Sequence, residues 1–460
     1  MTDTLSKIGG QTMSRLFGTD GIRGIAGEEL TAKLARDVGM ALTGLLNKGD
    51  GVRVLIGMDT RDSSEWICDS MADGIASAGG NAEIVGVCST PAVAYLVKKH
   101  GFDAGVMISA SHNPYQYNGI KIFASDGFKL SDALEDEIEG CIGKAKENSI
   151  PGKITKYEGA IGEYTEYLIN SFGKSLSGIR VAVDCANGSA SVTAERALKS
   201  LGAECVVICD SPNGTNINDG CGSTHLEKLR EIVTNGDFDL GIAFDGDADR
   251  CLSIDKNGNL IDGDYIMAIL GLWMGEQGKL QNNAIVGTVM SNLGLIKFCE
   301  ENNIDFISTK VGDRYVLEKM NECGYDLGGE QSGHIILRDL STTGDGQLTA
   351  IALLSRIKES DKDLTDLAAV MKKYPQYMVN IKADSREKEL FKKDEVILDL
   401  IKETESMLKG GRLVIRPSGT EHLIRIMAEG EDISTITKLC DSLGQKITER
   451  LAELKSSVGE

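Results

Sequence analysis

One arrangement recurs three times along the chain: an apolar strand, a polar loop, a helix, and a second strand. It reads as strand 52–57, loop Asp59-Thr60-Arg61-Asp62-Ser63, helix 66–78, Gly79-Gly80 and strand 82–88. It returns as strand 180–184, loop Cys185-Ala186-Asn187-Gly188-Ser189, helix 192–201, Gly202 and strand 204–209, and more loosely as strand 284–288, loop 289–292, helix 293–302 and strand 305–308. A crossover through a helix makes the two strands parallel, which a tight hairpin cannot do. Three units of one plan therefore predict three related α/β domains with mixed sheets. At 460 residues the chain is too long for a single core. Beyond Lys372-Lys373-Tyr374-Pro375 the order changes to strand 377–381, helix 394–408, strands 411–415 and 423–428, and helix 433–454, a smaller α+β domain. With a charged, glycine-bearing break at 144–159, the expected domains are 1–154, 155–257, 258–372 and 373–460.

The charge balance restricts the partners. With 49 basic and 69 acidic residues the net charge is −20, a field that repels nucleic acid and anionic membrane, so an anionic substrate needs a local basic pocket. The 11 cysteines are scattered without a C-x-x-C pair and read as reduced, buried side chains of a cytoplasmic protein. The N-terminal segment has no apolar signal core, and the longest apolar run, 265–274, is too short to span a bilayer. Residues 1–12 read as a flexible tail, or as sequence preceding an alternative start at Met13.

Four loops carry chemistry. In Met107–Phe123 an apolar strand breaks at Ser111-His112-Asn113-Pro114, so Ser111 stands at a strand's C-terminal end, where open α/β sheets bind ligands. Taken alone, that stretch is equally ordinary turn chemistry. In Asp245-Gly246-Asp247-Ala248-Asp249-Arg250, alternation along an extended segment places three carboxylates on one face, a set that suits a hard cation such as Mg²⁺. An EF-hand is excluded, because Arg250 and Lys256 stand where its glycine and glutamate belong. Gly329-Glu330-Gln331-Ser332-Gly333-His334 offers groups that match a polyhydroxylated ligand, although in isolation an acidic turn explains it better. Arg416-Pro417-Ser418-Gly419-Thr420-Glu421 supplies a guanidinium fork, two hydroxyls and a loosened backbone, as a phosphate dianion requires, and Arg425 adds a second cation. Lys121 and Lys310 are further cations at strand ends. Phosphoryl transfer on a sugar uses all four loops. A hydrolase triad is not expected, because no G-x-S-x-G elbow exists and the adjacent Ser111 and His112 do not readily face one another.

From Leu16 onward the sequence resembles the α-D-phosphohexomutase superfamily: LFGTDGIRG, SASHNP, DGDADR, GEQSGH and RPSGTE occur in family order and spacing. The resemblance implies four domains around a central active-site cleft. It further implies that Ser111 carries a phosphoryl group, that Asp245, Asp247 and Asp249 bind Mg²⁺ together with that phosphate, and that Glu330 and Ser332 contact sugar hydroxyls. Arg416, Ser418, Gly419 and Thr420 would hold the phosphate not being transferred, while Arg23, His112, Lys121, Arg250, Lys310 and His334 match further active-site positions. Gln331 and the run Val311–Val316 resemble the aminosugar branch. The activity this implies interconverts glucosamine 6-phosphate and glucosamine 1-phosphate through a 1,6-bisphosphate, on the route to UDP-N-acetylglucosamine and cell-wall precursors, in a monomer or homodimer. The rival is a mutase of neutral hexose phosphates. One departure is His422, where the family usually has proline.

Overall fold

The computed structural model describes residues 15–18, 20–47, 51–418 and 422–457. The tail expected over residues 1–12 lies outside them, as do Gly419 and Thr420.

The described strands form four sheets. The first holds β1 (Phe17–Gly18), β2 (Gly21–Ile25), β3 (Arg53–Met58), β4 (Asn81–Val87), β5 (Ala104–Ile108), β6 (Tyr117–Ala124) and β7 (Ile154–Lys156) in the order β1-β2-β6-β5-β3-β4-β7. The second holds β8 (Arg180–Asp184), β9 (Glu204–Ile208), β10 (Leu240–Phe244), β11 (Cys251–Asp255) and β12 (Leu260–Ile261), ordered β12-β11-β10-β8-β9. The third holds β13 (Ala284–Thr288), β14 (Asp305–Thr309), β15 (Leu327–Gly329) and β16 (Ile335–Leu337), ordered β14-β13-β15-β16. The last, wholly antiparallel, is β17 (Gln376–Lys382), β18 (Arg412–Pro417) and β19 (Leu423–Glu429), ordered β17-β19-β18.

The three crossover units share one layout. Three parallel strands, β4-β3-β5, β9-β8-β10 or β14-β13-β15, end on an antiparallel neighbour, β6, β11 or β16. In each unit the loop of interest joins the third parallel strand to that neighbour. Ser111 lies between β5 and β6, Asp245 to Asp249 between β10 and β11, and Glu330 to Ser332 between β15 and β16. The loop carrying Ser418 likewise joins antiparallel β18 and β19.

Local rules account for the elements. Thr31 caps the helix Ala32–Leu46, accepting the Leu34 N–H at 3.1 Å. The helix expected over 192–201 is broken: a 3₁₀ turn, Ser189–Val192, precedes the short helix Ala194–Ser200, and the 3₁₀ turn itself begins where Ser189 N–H donates to Gly246 O at 2.8 Å. Ser89 and Pro91 start a helix, Thr90–His100, that apolar periodicity did not reveal.

One continuous apolar core runs from Leu55 and Phe123 of the first unit through Tyr164, Val181 and Phe244 to Leu270 and Leu353. The last unit closes a core of its own around Ile397, Ile424, Ile426 and Ile447. All 11 cysteines are free thiols and seven of them are buried.

Candidate active site

Ser111 follows β5 and is buried, with a left-handed backbone at φ 53°. Holding a residue other than glycine there requires a scaffold that fixes it. Arg61 supplies much of that scaffold: its guanidinium donates to the carbonyls of Pro114 (2.5 Å), Tyr117, Ser111 and Asn113 (2.9 Å each) and to Asp59 Oδ2 (2.8 Å). Asn218 reaches across from the second unit, its Nδ2 donating to Ser111 O at 2.9 Å and Asn113 O at 3.1 Å. Gly246 is a glycine of necessity, since a Cβ there would meet Ser111 O at 2.5 Å. Ser111 Oγ donates to Asp245 Oδ2 at 2.5 Å and lies 3.4 Å from His112 Nδ1. The expectation that these neighbours do not readily face one another is thus corrected: with Ser111 in a left-handed turn, its hydroxyl and the imidazole come within reach. Burial first, then the guanidinium groups of Arg250 and Arg23, push the His112 imidazole down to about 4.

Asp245, Asp247 and Asp249 converge as expected, with a carboxylate oxygen from each within 4.8 Å of the others. The cause is different from the one inferred. The loop is not extended; it curls, with Ala248 at φ 55° and its N–H donating to Asp245 O at 3.1 Å. Thr90 of the first unit grips it, backbone N–H to Asp247 O at 3.0 Å and hydroxyl to Asp247 Oδ2, while Gly346 N–H, opening the helix Gly346–Ser360, donates to Ala248 O at 3.0 Å. Asp345 caps that helix. Lys121, in β6 and 1% exposed, sets its ammonium 2.8 Å from Asp247, 3.3 Å from Asp249 and 3.2 Å from Asp20. Burial opposes its charge, but those carboxylates outweigh burial and hold Lys121 protonated. Burial, then Asp249 and Asp247, raise Asp245 well above the carboxylate range; for Asp247, Lys121 and Thr90 prevail over burial and lower it.

Several polar atoms here are buried without a hydrogen bond: Asp247 Oδ1, Asp249 Oδ1, Arg250 Nε, Arg23 Nε, Ser332 Oγ and both His334 ring nitrogens. Native interiors seldom leave such atoms unpaired, and every one belongs to a residue singled out from the sequence. Two orphaned carboxylate oxygens beside Asp245 are what a hard cation would fill.

Arg23 bonds Asp20, and Arg250 Nε stands 3.9 Å from both Asp245 and Asp249. In the third unit Glu330 Oε1 accepts Gly312 N–H at 3.0 Å, and His334 Nε2 lies 3.5 Å from Asp313, which pairs with Lys129 of the first unit. Lys310 is exposed, its ammonium 5.6 Å from the Tyr315 ring, and it makes no ion pair among the described residues. In the last unit Ser418 is buried, and Arg416 faces Arg425 directly across β18 and β19. Burial, then Arg425, lower the Arg416 guanidinium, a like-charge juxtaposition that an anion would relieve.

Comparison with known proteins follows the same layout. Family models described as "Phosphoglucomutase/phosphomannomutase", alpha/beta/alpha domains I, II and III, match residues 14–149, 162–258 and 262–374, and the C-terminal domain matches 378–445. The chain belongs to the phosphoglucomutase/phosphomannomutase family. Among curated members of that family, phosphoglucosamine mutase from Caldicellulosiruptor bescii is 50% identical over 453 residues, covering 96% of this chain and 100% of the relative. The Clostridium novyi phosphoglucosamine mutase is 49% identical over 451 residues, covering 95% and 99%. A phosphoglucomutase/phosphomannomutase family protein from Burkholderia thailandensis superimposes with TM-score 0.82 at 22% identity over 96% of this chain and 98% of that one. N-acetylphosphoglucosamine mutase from Aspergillus fumigatus, solved with GlcNAc-6P and magnesium, gives TM-score 0.67 at 18% identity over 94% and 95%. Both share the fold of the phosphoglucomutase/phosphomannomutase family.

Sequence reasoning missed the residues that hold the site from behind. Asp59, Arg61, Thr90 and Asn218 carried no motif of their own. The one available signal was a buried-type turn, Asp59-Thr60-Arg61, at the end of a strand.

Proposed function

We propose that this chain interconverts glucosamine 6-phosphate and glucosamine 1-phosphate through a phosphorylated Ser111 and a 1,6-bisphosphate. The carrying observation is the buried Ser111 hydroxyl 2.5 Å from Asp245, beside two carboxylates with orphaned oxygens. About 50% identity to phosphoglucosamine mutases along nearly the whole chain favours the aminosugar over neutral hexoses.

In this reading Ser111 gives its phosphoryl group to the sugar hydroxyl and later recovers one from the opposite position. Asp245, Asp247 and Asp249 would hold Mg²⁺, which neutralises the charge on the transferring phosphoryl group. Lys121 keeps Asp247 ionised and adds a fixed positive charge beside Asp249. Arg23 and Arg250 present unpaired Nε–H groups toward phosphate oxygens, and His112, neutral at physiological pH, accepts or donates at Nδ1 beside Ser111 Oγ. Glu330 and Ser332 receive the sugar hydroxyls, with the buried His334 behind them and the exposed Lys310 at the rim. Arg416, Ser418, Gly419, Thr420 and Arg425 hold the phosphate not in transfer. Units 1–154, 155–257, 258–372 and 373–460 then each contribute one loop. A hexose 1,6-bisphosphate serves as activator, and a sugar phosphate is the partner, in a cytoplasmic monomer or homodimer. Among the described residues no helix is long and apolar enough to cross a membrane.

The test compares glucosamine, glucose and mannose phosphates with Mg²⁺ and a bisphosphate activator, followed by ³¹P NMR. Preference for the aminosugar is expected; preference for a neutral hexose would overturn the substrate assignment.

A further inference from the structure

Behind the Ser111 loop, in the second unit, lies a second cluster that the mutase chemistry does not use. Cys209 follows β9 and Cys221 opens a 3₁₀ turn, and their sulfurs lie within 4.8 Å of one another. The Lys228 ammonium stands 3.4 Å from Cys209 Sγ, and Asn187 Nδ2 donates to Cys221 Sγ at 3.7 Å. Asp184 is the third member, but its two oxygens already accept Ala186 N–H at 2.8 Å and Gly222 N–H at 2.9 Å. A cation at this spot would face the lysine ammonium, whereas a thiolate is stabilised by it. Cys209 is partly exposed and Cys221 is buried, the usual division between an attacking and a resolving thiol.

The chain between them is tied to the site. Asn187 N–H donates to Cys209 O at 2.6 Å, Asn187 Nδ2 to Asn216 O at 3.2 Å, and Asn218 N–H to Ala186 O at 2.9 Å, while Asn218 Nδ2 holds Ser111 O. Ala186, Asn187, Cys209 and Asn218 all have positive φ, between 48° and 59°. So many left-handed residues in one knot persist only under tight constraint, and a change in one displaces its neighbours.

We propose that Cys209 and Cys221 form a reversible disulfide, a modification site whose closure shifts Asn218 and thereby the loop that presents Ser111. Bringing the sulfurs to about 2.05 Å requires a movement of at most about 3 Å. The oxidant is a low-molecular-weight disulfide. The Cys209 thiolate attacks one of its sulfurs, forms a mixed disulfide and expels one thiolate. Cys221 then attacks the Cys209 sulfur and breaks the mixed bond, and its proton passes to the second leaving thiolate. Hydrogen bonding from Cys221 and the Lys228 charge lower the Cys209 thiol against its burial, consistent with Cys209 as the attacker.

The test equilibrates the full chain with oxidised glutathione, alkylates the remaining thiols and maps peptides by mass spectrometry. A 209–221 disulfide that dithiothreitol reverses is expected, with the nine other cysteines alkylated, together with a fall in mutase turnover of about tenfold that the same reductant restores. Lys228→Met should slow Cys209 alkylation at pH 7 severalfold, and Cys209→Ser should make turnover indifferent to the oxidant. The map needs no substrate, and reduced protein without mutase activity would refute the functional assignment above while leaving the map intact. Absence of the disulfide, a disulfide that leaves turnover unchanged, or one Zn²⁺ per chain shielding both thiols without an S–S bond would each overturn the proposal.

Discussion

Replacing Arg61 with methionine keeps most of the side chain's stem and deletes its charge, which makes it a clean probe of how the serine loop is held. Both Arg61 and Asp59 have side chains fully out of solvent, 2.8 Å apart. Removing one member of a buried ion pair costs about 3–5 kcal/mol, because the other is left uncompensated. Asp59 keeps three donors, Ser64 Oγ and Ser109 Oγ at 2.7 Å and Arg61 N–H at 3.1 Å, which places the loss at the lower end of that range. Ser111 O and Asn113 O retain Asn218, so their share is small. The expected destabilisation is about 3 kcal/mol, roughly a hundredfold in the local folding equilibrium, read by urea unfolding. Adding Asp59→Asn to the same chain should recover about 2 kcal/mol, since the stranded charge disappears. Loss of the clamp also frees Ser111 from its left-handed turn, and turnover should fall about 100-fold. An Arg61→Met protein within about 1 kcal/mol of wild type, with turnover within about twofold, would refute the clamp.

Other expectations follow from the same geometry. Ser111→Ala should abolish turnover and leave the circular dichroism spectrum and melting midpoint nearly unchanged; an active Ser111→Ala protein would remove the phosphoserine reading. Chelation should stop turnover and Mg²⁺ restore it, and Mg²⁺ should raise the melting temperature of wild type more than that of Asp247→Asn, because Asp247 Oδ1 and Asp249 Oδ1 lie buried and unpaired. The His112 imidazole is held near 4 against about 6.5 unfolded, so the unfolded chain binds the extra proton and stability should fall as pH drops from about 6.5 toward 4. His112→Gln should flatten that slope, and an NMR titration placing His112 near 6.5 would refute it. Arg416→Leu should raise KM at least about tenfold with little loss of stability, since it removes one of two facing guanidinium groups; an unchanged KM would take the phosphate away from this loop.

How much was legible in the sequence depended on range. The crossover units were readable because strand, helix and glycine are local signals, and β8 and β13 fall where apolar runs place them. The aspartate loop stood out because three close carboxylates repel without a cation, whereas the Ser111 and Glu330 loops, ambiguous alone, drew their weight from the family motifs. The aspartates were found for a partly mistaken reason: alternation suggested a shared face, whereas a left-handed Ala248 folds the loop back on itself. The contact between Ser111 and His112 was misjudged for a similar cause, since one positive φ reorients a neighbour in a way residue spacing does not encode. Arg61, Thr90 and Asn218 stayed hidden because their partners lie about 50 to 157 positions away, and no local pattern announces such a contact.

The separate core of the last unit bears on how this molecule comes apart. Apolar packing is continuous from Leu55 to Met371, so loosening any one of the first three units should expose apolar surface of its neighbours. The fourth, closed around Ile397 and Ile447, is joined through polar ties that include Asn292 Nδ2 to Glu429 at 2.9 Å, Arg412 to the carbonyl of Ser291, and Lys373 to Asp262. Water can replace those ties one by one. The chain is therefore built as a heavy three-unit frame with a lighter fourth unit, the one that carries the facing Arg416 and Arg425.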